Sequence, residues 1–174
     1  SQWERIGQDE AFVGRCGEVG DELGSRVIAA RLVQQIMRLC FLMERKYAPY
    51  AKWFGSAFSR LDCALALAAI FDGVLSTGSW REREGHLSEA YRVVAEMHNG
   101  LGITRPMETR VSNYHTRPYM VIHSEVFAAE IRKAIEDDAI RGLSTGIGSV
   151  NQFAGSSDVL EDVSVCEKLR VLYD

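Results

Sequence analysis

The stretch RKYAPYAKWFGSAF, residues 45–58, packs Lys46, Tyr47, Tyr50, Lys52 and Trp53 around a single proline. Ammonium groups beside large aromatics can hold a flat anion: the cation neutralises a triphosphate while a ring stacks on a base. The same residues also suit a hinge in which Trp53, Phe54 and Phe58 close a core and both lysines reach into water. A second set lies in MHNGLG, residues 97–102, and SNYHTRPY, residues 112–119. His98 and Asn99 fall at an expected helix C-terminus, where the helix dipole favours a cation and Gly102 can supply a left-handed cap. His115 and Arg117 fall in an irregular loop, where side chains are freer to serve a ligand or to cap a carbonyl. A third set is RIGQDEAFVGRCGEVGDELGSR, residues 5–26, in which Glu10, Glu18, Asp21, Arg15 and Arg26 offer a carboxylate base beside an anion-binding guanidinium. The alternative for this set is a network of ion pairs on glycine-rich helices.

No nucleophile elbow, HExxH, P-loop or GxGxxG occurs, so the strong local enzyme motifs are absent. Cys16, Cys40, Cys63 and Cys166 stand far apart without CxxC or His at ligand spacing, which predicts reduced, buried thiols and no metal site. A reducing cytoplasm is the expected location. The longest apolar runs, such as CALALAAIF, are too short to span a bilayer, and the N-terminus has no basic-then-apolar leader. A chain beginning at Ser1 is read as processed or truncated.

The elements that must position these groups are helical. Trp3–Val19 reads as a polar helix interrupted by Gly14 and Gly17, with a break at GEVGDELG. Leu23–Glu44 carries the strongest helical repeat: Leu23, Val27, Ile28, Leu32, Ile36, Leu39, Cys40 and Met43 share one face and Val33, Met37 and Phe41 the other, which predicts a central helix. Pro49 limits it. Helices are then expected over about 50–58, over 62–75 with Asp62 as cap, and over 80–101 with Arg81, Glu82, Arg83, Glu84 and Arg92 on the wet side. Residues 102–123 are the least helical, with PYMVIH as a lone short strand lacking an obvious partner. A helix follows from Ser124 to Glu136 with Val126, Phe127, Ile131 and Ile135 inward, and a last one starts at Ser157 or Asp158. The expectation is an all-α fold, one irregular bundle of about six or seven helices over residues 1–174. With 174 residues, 47% of them hydrophobic and 25% charged, the chain can bury a core without staples, and a formal charge of −4 argues against a nucleic-acid-coating surface.

The series IGQDEAFVGRCGEVGDELGSR, ARLVQQIMRLCFLMERKYAPYAKWFGSAF, HNGLG, HTRPY and IGSVNQF with SSDVL resembles the C-terminal helical domain of bacterial nucleotidyltransferase-like proteins, a domain of unknown function. The resemblance runs in order along nearly the whole chain. It implies that an N-terminal nucleotidyltransferase domain, bearing a Gly-Ser pair and two metal-binding carboxylates, is the missing partner; neither feature occurs here. Magnesium and a nucleoside triphosphate would come with that domain, and no cofactor is expected in this chain. Lys52 in APYAKW is the position matching a lysine that reaches the triphosphate, with Tyr50 or Trp53 as the aromatic beside the nucleotide. Ala51 stands where Ser is expected, Asn151 where Asp is expected, and His115-Thr116-Arg117 where His-Asp-Arg is expected. These departures remove two carboxylates and a hydroxyl that an acid–base or magnesium role in those loops would use.

The resulting expectation is a substrate-binding helical half of a nucleotidyltransferase-like protein, inactive alone, that assists nucleotidyl transfer to a small-molecule acceptor. Lys52, Tyr50, Trp53, His98, His115 and Arg117 are its binding candidates, and Glu10 or Glu18 the group orienting the acceptor. Two other classes stay open. One is a standalone helical protein binding or acting on a small metabolite, for which a pocket lined by Trp53, Tyr91, His98 and Tyr119 would speak. The other is a helical interaction module that docks another chain or a second copy of itself.

Overall fold

The structure, a computed structural model, describes residues 1–142, 159 and 161–172. It begins with α1 (Gln2–Asp9), started by a capping box in which Ser1 and Glu4 satisfy each other's backbone N–H groups, and α2 (Phe12–Glu18). The single helix expected over 3–19 is therefore two. Its halves answer to different neighbours: α1 packs on α3 (Glu22–Met43) and α7 (Ser124–Lys133), whereas α2 packs on α3 and α6 (Trp80–Gly100).

The central helix is α3, capped by Asp21, whose carboxylate accepts from the Gly24 N–H at 2.7 Å. Ala29, Leu32, Val33, Ile36, Leu39, Cys40 and Phe41 are buried along it. Its first two turns depart from the expected stripe, since Leu23 and Val27 are exposed and Ser25 takes the inward position. The reason is Arg83, which lies fully buried on α6 rather than on the wet face and donates to Ser25 Oγ at 2.7 Å and Glu22 Oε2 at 3.2 Å. A buried guanidinium demands acceptors, and that demand sets the local face of α3.

Beyond Pro49, α4 (Ala51–Phe58) buries Phe54 and Phe58 against Phe41, with Phe58 also meeting Phe71 of α5 (Ala64–Ser76). Asp62 does not cap α5. Instead Glu44, just past the end of α3, accepts from the Asp62 and Cys63 N–H groups at 3.1 and 2.9 Å, joining the end of one helix to the start of the next. The segment PYMVIH does find a partner: β2 (Met120–Val121) pairs antiparallel with β1 (Ser112–Asn113), placing Ser112 opposite Val121. Glu84 anchors this hairpin to α6 through the Met120 N–H at 3.1 Å.

The last elements are α7, which ends three residues before the expected Glu136 and leaves Val126 partly exposed, α8 (Asp138–Arg141), α9 (Val163–Lys168) and a 3-10 turn at Leu169–Leu172. Asn151 and the starts proposed at Ser157 or Asp158 lie outside the described residues. The fold is thus the expected helical bundle with one minimal hairpin added. A continuous apolar cluster joins α1–α7, with Trp3 stacked on Phe127 at 4.3 Å within it. Among the described residues no helix is long and apolar enough to cross a membrane.

Candidate functional site

In the aromatic–lysine segment the core reading holds for Phe54 and Phe58 but not for Trp53. Phe54 and Phe58 turn inward, while Tyr47, Tyr50 and Trp53 stay 80%, 56% and 52% exposed. Lys52 is exposed too, its Nζ 5.1 Å from the centre of the Trp53 ring. The result is an open face of cation and ring, anchored from below by the phenylalanines and by Arg38, whose guanidinium lies 5.5 Å from the Phe54 ring centre. Such a pairing attracts through the ring quadrupole and leaves the ammonium available to an anion.

The Glu18 set is elsewhere. Tyr119 donates its hydroxyl hydrogen to Glu18 Oε2, and Arg117 Nη1 is 3.7 Å from the same oxygen. The hydrogen bond to Glu18 raises the Tyr119 pKa above the ordinary phenol value. Two glycines make this arrangement fit: a Cβ on Gly14 would lie 2.5 Å from Tyr119 Cδ1, and one on Gly17 would lie 2.0 Å from Trp80 Cγ. Replacing Gly14 by alanine should therefore destabilise the protein by about 1–3 kcal/mol despite the better helix propensity of alanine, because buried Tyr119 has no room to withdraw. Urea denaturation checks this; an unchanged midpoint contradicts it. His115 sits on the same loop, exposed, with left-handed backbone (φ 54°) and its ring 4.5 Å from that of Tyr114.

The two sets stand at opposite ends of α3. Glu18 precedes the turn into its N-terminus, whereas α4 packs at Phe41, about 28 Å of helix axis beyond Glu22. His98 belongs with neither. It is 1% exposed, its Nε2 is 2.9 Å from Thr104 Oγ1, and burial lowers its pKa, favouring the neutral ring. Asn99 bonds the Met107 N–H and C=O, and Gly102 has φ +63°. Tyr91, His98 and Tyr119 are buried while Trp53 is on the surface, so the four rings do not form one pocket wall. His98 instead borders a cavity of about 340 Å³ with Trp3, Leu39, Met43 and Ile131.

Glu10 is 5% exposed and fully engaged. Its Oε2 accepts from the Ile122 N–H at 3.0 Å and Ser124 Oγ at 3.1 Å, and its Oε1 accepts from the Ser124 N–H at 3.1 Å. Burial raises its pKa, outweighing these hydrogen bonds. Between the two gripped residues, His123 adopts a left-handed conformation (φ 57°, ψ 56°). Its Nε2 is 2.8 Å from Ser112 Oγ, and its Nδ1 is 3.6 Å from Glu125 Oε1. Reading the sequence missed this group, because Ser112 falls in a segment without periodicity and His123-Ser124-Glu125 has the look of a helix start. Among the described residues no cluster of His, Cys, Asp and Glu is arranged to hold a metal ion.

A family model described as a domain of unknown function (DUF4037) matches residues 1–54, which takes in Glu10, Glu18 and the Tyr50–Trp53 face and ends before the Arg117 loop. No curated protein and no solved structure gives a significant match.

Proposed function

We propose that this chain is the ligand-gripping helical half of a nucleotidyltransferase-like protein, presenting the Lys52 face to a nucleoside triphosphate held mainly by a separate transferase domain. The observation that carries this reading is exposed Trp53 with Lys52 Nζ 5.1 Å from its ring centre, on a helix whose other face is locked by buried phenylalanines, with exposed Tyr47 and Tyr50 in the segment leading into it. Large aromatics grouped on a surface mark a contact site, and Lys52 adds the charge that a triphosphate needs. In this reading magnesium would be held by residues of the transferase domain, where it would supply charge stabilisation for the acceptor oxygen and the pyrophosphate. Lys52 neutralises phosphate charge and Tyr50 or Trp53 lies against the base. Because the length of α3 separates Glu18 from Lys52, and Glu10 is engaged with α7, neither carboxylate belongs to this nucleotide wall.

The chain is expected to transfer nothing alone. Titration with a magnesium–nucleoside triphosphate should quench Trp53 emission, and Lys52→Ala should raise Kd about tenfold or more. The melting temperature should hardly change, since Lys52 is exposed. Coincident titration curves for the two proteins would return Lys52 to an ordinary solvated role.

A second reading, a helical protein that binds a small metabolite, is favoured by the cavity beside His98. Its walls are mainly apolar, and the buried Trp3 indole N–H has no acceptor. Saturable binding of an apolar acid or amide that protects Trp3 from quenchers, with no response to nucleotide, would select it.

A further inference from the structure

We propose that Ser112, His123 and Glu125 form a serine acyl-transfer site that hydrolyses a small carboxylic ester in the cavity bordered by Ser112 and His123. Ser112 Oγ and Glu125 Oε1 approach opposite nitrogens of one imidazole, at 2.8 Å from Nε2 and 3.6 Å from Nδ1. A single tautomer serves both: with the proton on Nδ1 facing Glu125, Nε2 is free to accept the Ser112 hydroxyl proton. That is the polarity a general base needs beside a serine nucleophile.

The backbone shows that this imidazole is held in place. His123 is left-handed, a conformation that a residue with a Cβ keeps only when its surroundings enforce it. The enforcement is visible: the buried Glu10 carboxylate binds the N–H groups of Ile122 and Ser124, the residues on either side. A buried charge whose hydrogen bonds go to both neighbours of one histidine aims that side chain, and it points to Ser112. Both groups remain open to water and substrate.

Ser112 and His123 line a cavity of about 410 Å³, in the size range of small-molecule sites. Its floor is apolar, formed by Val111, Ile122, Val126 and Phe127, which suits a short acyl chain. Arg110 and Glu108 line the same cavity as a pair, Arg110 donating from Nε and Nη2 to Glu108 at 3.2 and 3.1 Å, and give its rim a polar side.

In the reaction, Ser112 Oγ bonds to the ester carbonyl carbon as its proton passes to His123 Nε2. The tetrahedral intermediate then breaks its bond to the alcohol oxygen, which leaves with that proton as the free alcohol. Water attacks the acyl-serine, giving a proton to Nε2; the C–Oγ bond breaks, Oγ recovers the proton, and a carboxylic acid is released. The site uses none of the residues assigned to nucleotide binding, so the two readings succeed or fail separately.

The test uses a fluorophosphonate probe and p-nitrophenyl butyrate with the intact chain. Peptide mass spectrometry should find the phosphonate on Ser112, and p-nitrophenolate should appear catalytically. Ser112→Ala should abolish both while leaving the melt unchanged, because the side chain is exposed. His123→Gln should lower turnover by about a hundredfold or more, and Glu125→Gln by about tenfold, since that carboxylate is 65% exposed. An unlabelled wild-type protein, a label on another residue, or full turnover by Ser112→Ala would each overturn the assignment.

Discussion

Replacing Glu22 by alanine should lower the unfolding free energy by about 3 kcal/mol, a fall of about 6–12 °C in melting temperature for a chain of this size. Glu22 Oε2 is the anionic partner of Arg83, whose side chain is 0% exposed, and Glu22 Oε1 accepts from the Trp80 N–H at 3.1 Å. Without that carboxylate the guanidinium keeps only neutral acceptors, Ser25 Oγ and the Thr77 carbonyl, and its Nε already has no partner. An uncompensated buried charge costs several kcal/mol. The lower end of that range applies here because Glu22 is one-third exposed and water can partly replace it. Urea denaturation measures the loss. Arg83→Met in the Glu22→Ala background should recover part of it, since an apolar side chain needs no counter-ion. A double variant less stable than either single one would refute the account.

Glu10→Ala is the second large effect, expected at about 2–3 kcal/mol at pH 7. Removing the carboxylate strips the acceptor from the Ile122 N–H, the Ser124 N–H and Ser124 Oγ, all buried, while ending the desolvation cost of a buried anion. Amide exchange at Ile122 and Ser124 should accelerate with the loss. The pH dependence has a definite sign. Burial raises the folded-state pKa of Glu10 above its ordinary 4.5, so folding favours its protonated form. Its ionisation contribution to stability is complete below pH 4.5 and is lost as pH rises through the folded pKa. The gap between wild type and Glu10→Ala should therefore be wider near pH 4.5 than at pH 7. Paired denaturation curves at the two pH values decide it, and a gap that widens towards neutrality would contradict the burial argument.

The candidate residues were legible to different degrees. In RKYAPYAKWFGSAF the inward turn of Phe54 and Phe58 follows from helical spacing beyond a proline, whereas the exposure of Trp53, which the core reading grouped with them, does not. The role of Glu10 was not legible. Its partners lie more than a hundred positions away, and nothing in QDEAF distinguishes a buried capping carboxylate from a solvated one. Arg83 deceived for a related reason: amid Arg81, Glu82 and Glu84 it has the local pattern of a wet face, yet one fixed acceptor set on α3 draws it fully inside.

By itself the sequence determined that the chain is helical and that α3 and α6 are its long helices, because periodicity acts within a few residues; α3 ends at Met43, with Arg45 left-handed, before Pro49 is reached. Only the tertiary structure decided which side chains meet. It split the first helix at Glu10, paired β2 with β1, put the capping of α5 on Glu44 and drew Ser112, His123 and Glu125 together. Each of these depends on a donor or charge finding its partner outside its own element, and the free energy of that match belongs to two elements at once.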